Sequence, residues 1–105
     1  MSVITATKEN FKKDIIGSPL PVLVDFYADW CGPCQMLSPV IAQIAAENPD
    51  IRVAKINVDE QVELAQAFGV NTIPTLVAMK DGKIINKSVG YSEKTQILKM
   101  VKGRN

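Results

Sequence analysis

The sequence contains no histidine and only two cysteines. Without imidazole it lacks the side chain that ordinarily titrates near neutrality, which is also the commonest metal ligand. Any chemistry the chain performs must therefore come from thiols, carboxylates or lysines. Two cysteines are too few for a small extracellular domain that relies on disulfides for stability. Neither sign of charge is in surplus. Twelve basic against 11 acidic residues leave a net charge of +1, which provides no attraction for nucleic acid or an anionic membrane. The basic residues near the two ends (Lys8, Lys12 and Lys13; Lys94, Lys99, Lys102 and Arg104) are interspersed with acidic ones. That is the pattern of solvated helix faces, not of a docking patch. No apolar run approaches the roughly 20 residues needed to cross a bilayer. No N-terminal basic segment is followed by an apolar stretch, so no export leader is visible and a cytoplasmic location is the default expectation. A chain whose leader had been removed would read the same.

What is present fits one globular domain spanning residues 1–105. The length suffices for a single core and is too short for two. Hydrophobic residues make up 47% and charged residues 22%, which argues against disorder. There is no repeat and no linker. Val3 to Ala6 reads as a short strand, followed by a helix from about Lys8 to Ile16 with Thr7 as N-cap. Gly17-Ser18-Pro19 then breaks the chain. Pro21 to Ala28 is an almost unbroken apolar run, as expected of a central strand buried on both faces. A helix follows from Cys31 to about Asn48, where Pro49 forbids continuation. Its apolar residues Leu37, Val40, Ile41 and Ile44 keep a 3.6-residue period, and Pro39 inside it removes one donor and predicts a kink.

Ile51 to Val58 reads as a third strand. Asp59 is the expected cap of a short helix reaching Phe68, with Gly69 as its stop. Leu76–Lys80 and Lys83–Val89 flank Asp81-Gly82, a strong signal for a tight antiparallel hairpin. Ser92 is the expected cap of a last helix whose core face includes Ile97, Leu98 and Val101. The order β-α-β-α-β-α-β-β-α predicts an α/β fold: a mixed central sheet, parallel where helices connect the strands, flanked by helices on both faces.

Both cysteines fall within Cys31-Gly32-Pro33-Cys34, between a strand and a helix. Zinc would need about four ligands, and this pair offers two with no histidine to add. A structural staple is poor, because closing so short a loop removes little unfolded-state entropy. Redox use remains favoured. Cys31 at a helix N-terminus lies next to unpaired N–H groups that stabilise a thiolate. Pro33 suits the first helical turn, and the rigid turn keeps Cys34 close enough for intramolecular closure. Cys31 is thus the expected exposed, attacking sulfur, and Cys34 the buried one that resolves the mixed disulfide. With no histidine between them, no imidazolium favours the reduced form, which points to a reductant.

Asp25 interrupts the apolar run Val22-Leu23-Val24-Asp25-Phe26. Its neighbours predict burial, and a buried carboxylate has a raised pKa and can exchange protons near neutrality. It is the evident candidate base for Cys34. Lys55, in Val53-Ala54-Lys55-Ile56, would tune that carboxylate if the two strands pair.

These residues together resemble the thioredoxin family. The similarity rests on Val24-Asp25-Phe26-Tyr27-Ala28-Asp29-Trp30-Cys31-Gly32-Pro33-Cys34, on Pro39, on Lys55-Ile56-Asn57-Val58-Asp59, on Ile73-Pro74-Thr75, and on Gly82 and Gly90. It covers nearly the whole chain. The resemblance implies the thioredoxin fold and a protein-disulfide reductase with no bound cofactor. Electrons would come from an NADPH-linked thioredoxin reductase, and the substrates would be disulfide-containing proteins met by a monomer. It also implies that Pro74 is cis and faces the cysteines, that the Ile73 backbone pairs with an extended substrate segment, and that Trp30, Gly32, Pro33, Val58, Val70, Gly90 and Tyr91 form or border the docking surface. Two positions depart from the family pattern. Tyr27 stands where tryptophan is common, and Gln35 where lysine or arginine is frequent.

Overall fold

A computed structural model describes residues 2–103, so Arg104 of the basic C-terminal group lies outside the described residues. The strands are β1 (Ile4–Thr5), β2 (Val22–Tyr27), β3 (Arg52–Asn57), β4 (Thr75–Lys80) and β5 (Lys83–Val89). The helices are α1 (Gly32–Glu47), α2 (Val62–Ala67) and α3 (Lys94–Lys102). The sheet order is β1-β3-β2-β4-β5, with β3 parallel to both β1 and β2, and β4 antiparallel to β2 and β5. The expected mixed sheet is therefore present, and β2 lies at its centre.

Alternation along β2 sends its side chains to two different cores. Leu23 joins Leu37, Ile41 and Ile44 of α1 and Ile97, Met100 and Val101 of α3. Val22, Val24 and Phe26 pack on the other face with Ile15, and with Phe11, Leu64 and Phe68 at its margin. By the same alternation Asp25 falls on the α1 side. Its burial follows from the covering of both faces, which leaves β2 no solvent side.

The first helix differs from its expected form. Thr7 and Asn10 bond reciprocally, Asn10 Oδ1 accepting from the Thr7 N–H at 2.7 Å and Thr7 Oγ1 accepting from the Asn10 N–H at 3.4 Å, but regular α-helix does not follow. Lys12–Ile16 instead forms a π-helical turn, closed by the Gly17 N–H on the Lys12 carbonyl at 2.9 Å. Two other caps are also corrected. The N-cap of α2 is Gln61, and that of α3 is Glu93; neither makes a side-chain cap bond. Asp59 is occupied by another partner, described below, and Ser92 Oγ lies 3.3 Å from Ser88 Oγ. Leu98 packs against the core while only partly buried, and Met100, absent from the expected core face, is buried beside Ile97 and Val101. The hairpin is as expected. Asp81 and Gly82 both take positive φ (54° and 76°), as a type I′ turn demands.

Candidate active site

β2 delivers the chain to Ala28, and a turn closed by the Cys31 N–H on the Ala28 carbonyl at 3.2 Å starts α1. Cys31 is the N-cap of that helix, with extended backbone, and its Sγ accepts the Cys34 N–H at 3.2 Å. The sulfur thus occupies the place of a capping oxygen, against the positive end of a 16-residue helix. Pro33 sits in the first turn, where its missing donor costs nothing. Cys31 and Cys34 are disulfide-bonded, with Cα atoms 5.2 Å apart. Their residues are 5% and 4% exposed, so the expected contrast between an open and a buried cysteine is absent from the oxidised form. Both sulfurs lie in one packed cluster with Ala28, flanked by Tyr27, Val58 and Ile73.

The Ile73–Pro74 peptide bond is cis, and the Ile73 carbonyl oxygen lies 3.8 Å from Cys31 Sγ. A Cys31 thiol, once formed by reduction, has an acceptor there. Gly90, at φ 89°, donates its N–H to the Pro74 carbonyl at 2.8 Å and fixes the end of β5 against this loop. Of the expected docking residues, Val58 and Ile73 flank the cysteine cluster and are half-buried, Val70 is half-buried against the core on the Phe26 side, and Gly32 and Pro33 are exposed; Trp30 is 72% exposed and Tyr91 47%.

Asp25 and Lys55 are register partners on the adjacent strands β2 and β3. Asp25 is buried and its Oδ1 has no hydrogen-bond partner among the described residues. Burial pushes its pKa up to about 7, and the nearby Lys55 charge only partly opposes this. The Lys55 ammonium lies 5.8 Å from the centre of the Tyr27 ring, at the long end of cation–π range. Burial also raises the Tyr27 hydroxyl above its ordinary pKa.

Two contacts escaped the sequence reading. The Trp30 indole N–H donates to Asp59 Oδ2 at 2.9 Å, joining residues 29 positions apart. The Gln35 side-chain amide donates to the Asp29 carbonyl at 2.8 Å and braces the loop that carries Trp30. For Asp59 the local signal pointed to a helix cap, because an acidic residue before a helix satisfies that pattern whatever else lies nearby. For Gln35 the neutral side chain was itself visible, but its carbonyl partner depends on how the loop folds back.

A redox-active cysteine pair at a helix N-terminus, set at the end of the central strand of a mixed sheet, defines a thiol–disulfide oxidoreductase. The sequence profile of the thioredoxin family matches residues 2–103, and the chain belongs to that family. It is 46% identical over 95 residues to a thioredoxin of Chlamydia muridarum, covering 90% of this chain and 91% of that one. To thioredoxin 1 of Synechococcus elongatus it is 44% identical over 99 residues, covering 92% of each. Its fold superimposes with a TM-score of 0.86 on a chain from a solved structure concerned with thiol resolution in yeast mitochondrial 1-Cys peroxiredoxin through the glutathione and thioredoxin systems. There the identity is 33%, over 97% of this chain and 95% of that one. The chain is accordingly a protein-disulfide reductase by family. No helix among the described residues is long and apolar enough to cross a membrane.

Proposed function

We propose that this chain acts as a single domain, residues 1–105, that carries two electrons from a reductase to disulfides in other proteins. The observation that carries the reading is the capping geometry: Cys31 Sγ holds the Cys34 amide at the start of α1. The Cys31 thiolate attacks one sulfur of a substrate disulfide, forming a mixed disulfide and expelling the other substrate sulfur as a thiolate that takes up a proton. Cys34 then loses its proton and attacks Cys31 Sγ. That breaks the mixed disulfide, releases the second substrate thiol and leaves the Cys31–Cys34 disulfide. Asp25 is the base for Cys34, supported by its burial on the α1 side and a pKa near 7, so it can accept a proton at neutral pH. Lys55 sets how far that pKa rises.

Docking uses Trp30, Gly32, Pro33, Val58, Val70, Ile73, Pro74, Gly90 and Tyr91. The substrate lies extended along Ile73, whose backbone is already within reach of Cys31 Sγ. Reduction, not oxidation, is the favoured direction because no histidine is present to stabilise the dithiol form. An NADPH-linked thioredoxin reductase regenerates the dithiol, the protein binds no cofactor of its own, and it works as a monomer in the cytoplasm. The test is reduction of insulin disulfides by dithiothreitol, with and without the protein, against the Cys31→Ser/Cys34→Ser double variant. Acceleration by the native chain and none by the variant is expected. Equal rates would leave a binding module that uses the same face without turnover.

A further inference from the structure

The net charge of +1 conceals a strongly uneven distribution. Residues 14–51 contain no lysine or arginine, and neither do residues 56–79 or 88–93. Those three stretches supply the cysteine pair and every docking residue named above, so the following inference rests on that docking reading. The same stretches do carry acids. Asp29, Asp59 and Glu60 are exposed, Asp29 immediately before Trp30 and Asp59 bonded to its indole at 2.9 Å. Along all of α1 the only charged side chain is Glu47, at the far end from the cysteines. Gln35, in the first turn, is neutral and tied to the Asp29 carbonyl.

Among the described residues the cations fall outside those stretches, and several are engaged. Lys80, Lys83 and Lys87 are on the β4–β5 hairpin, and Lys94, Lys99 and Lys102 on α3. Lys87 donates to the Phe68 carbonyl at 3.0 Å, Lys8 pairs with Glu63 at 2.9 Å, and half-buried Lys55 sits over the Tyr27 ring. The Asp29 and Asp59 carboxylates flank exposed Trp30, Asp29 and Glu60 both act on Tyr27 beside the cysteine cluster, and these segments carry no lysine or arginine, so their charges favour a negative potential over the approach to the sulfurs. The Cys31 thiolate of the reduced form adds to it. A substrate disulfide flanked by lysine or arginine is drawn toward such a face, and one flanked by carboxylates is repelled.

We infer that this site selects disulfides lying in cationic segments of its protein substrates. Asp29, Asp59 and Glu60 determine the preference, and Gln35 preserves it by adding no positive charge. The experiment uses the reduced full-length protein and three peptides of equal length. Each contains the same central disulfide, flanked by lysines, serines or glutamates. Single-turnover rates are followed by Trp30 fluorescence, and each is divided by that peptide's rate with 2-mercaptoethanol, which removes the intrinsic reactivity of the disulfide. Because all three peptides meet the same Cys31 thiolate, the ratio is independent of its pKa.

At about 10 mM ionic strength, where the screening length is roughly 30 Å, the lysine peptide should react about tenfold faster than the glutamate peptide, with serine between. At about 1 M salt, where screening acts within roughly 3 Å, the preference should nearly vanish. The Asp29→Asn/Glu60→Gln double variant should shrink the low-salt ratio severalfold, and Gln35→Lys should shrink it independently. Equal normalised rates at low salt, a preference for glutamate, or a ratio untouched by both variants would overturn the inference and leave the reductase reading standing. Failure to reduce any of the three peptides would overturn the reductase reading itself.

Discussion

At the C-terminal end of α1 the polar groups are paired. Asn48 bonds back to the Ile44 carbonyl through both its backbone N–H and its side-chain amide, each at 3.0 Å. Lys102 donates to Asn48 Oδ1 at 2.9 Å and pairs with Asp50 at 3.1 Å, and Lys94 pairs with Glu47 at 2.9 Å. Near the N-terminal end the pairing is incomplete. On that side of the sheet Asp25 Oδ1 is buried with no hydrogen-bond partner among the described residues, and Trp30, although Asp59 holds its indole N–H, stands open to solvent. Each region sets a carboxylate near a lysine, yet the carboxylates shift in opposite directions. Hydrogen bonding to Lys94 holds exposed Glu47 below its ordinary pKa, whereas burial drives Asp25 up to about 7 against the pull of Lys55. The same two chemical types become a surface tether in one place and a titratable group at neutral pH in the other, and solvent access decides which.

The largest test of this contrast lies at the cysteines. Cys34→Ser should accumulate mixed disulfides with substrate proteins, and Cys31→Ser almost none, as read by mass spectrometry of trapped adducts. Equal trapping by both would mean that the capping position does not choose the nucleophile.

Asp25→Asn should come next, and it should separate stability from activity. Asp25 has an ordinary pKa of 3.8 and about 7 in the folded protein. Between those values the folded state keeps a proton that the unfolded state has lost, so stability falls as pH rises through the window and levels off above about pH 7. At 1.36 kcal/mol per unit the full penalty is on the order of 4 kcal/mol. In the oxidised form, Asp25→Asn should therefore raise the denaturant midpoint above pH 7 and lose most of that advantage toward pH 4. Resolution of the mixed disulfide should slow in the same variant, most at or below neutrality, and recover at higher pH where Cys34 ionises unaided. An unchanged stability profile with an unchanged pH–rate profile would make Asp25 an ordinary solvated carboxylate.

Lys55→Met should act more mildly. Removing the charge that lowers the Asp25 pKa should move its titration upward, observable by NMR of the carboxyl carbon, and shift the pH–rate profile with it. A downward shift would show that Lys55 does not face Asp25 electrostatically. Smallest of all should be Glu47→Gln. The depressed pKa of Glu47 means that its pairing contributes above the ordinary glutamate range and is lost as pH falls through the depressed value. On so exposed a group the change in denaturant midpoint should be slight and should disappear in high salt. A large, salt-resistant loss would dissolve the contrast between the two ends.

Much of this arrangement was legible along the chain wherever it depended on neighbours. The apolar run that Asp25 alone interrupts announced a strand covered on both sides, and β2 is that strand. Legibility failed where a local pattern had two uses. Thr7 begins a helix-like turn but Lys12–Ile16 closes one residue wider than an α-helix. Asp59 has the form of a cap and spends its carboxylate on an indole. The two cysteines, separable by position, are equally covered once bonded to each other.

The sequence by itself determined the helix that begins at Cys31, the hairpin that turns at Asp81-Gly82, the apolar strand through Asp25 and the spacing that keeps Cys34 beside Cys31. Each follows from backbone preferences and side-chain periods that act within a few residues. Tertiary structure alone decided that the Ile73 carbonyl meets Cys31 across 42 positions, that Asp59 fixes Trp30, and that Lys55 lies in register with Asp25. These depend on which strands lie side by side and on how much water is left between them, quantities set only when the sheet and its two helical layers have packed together.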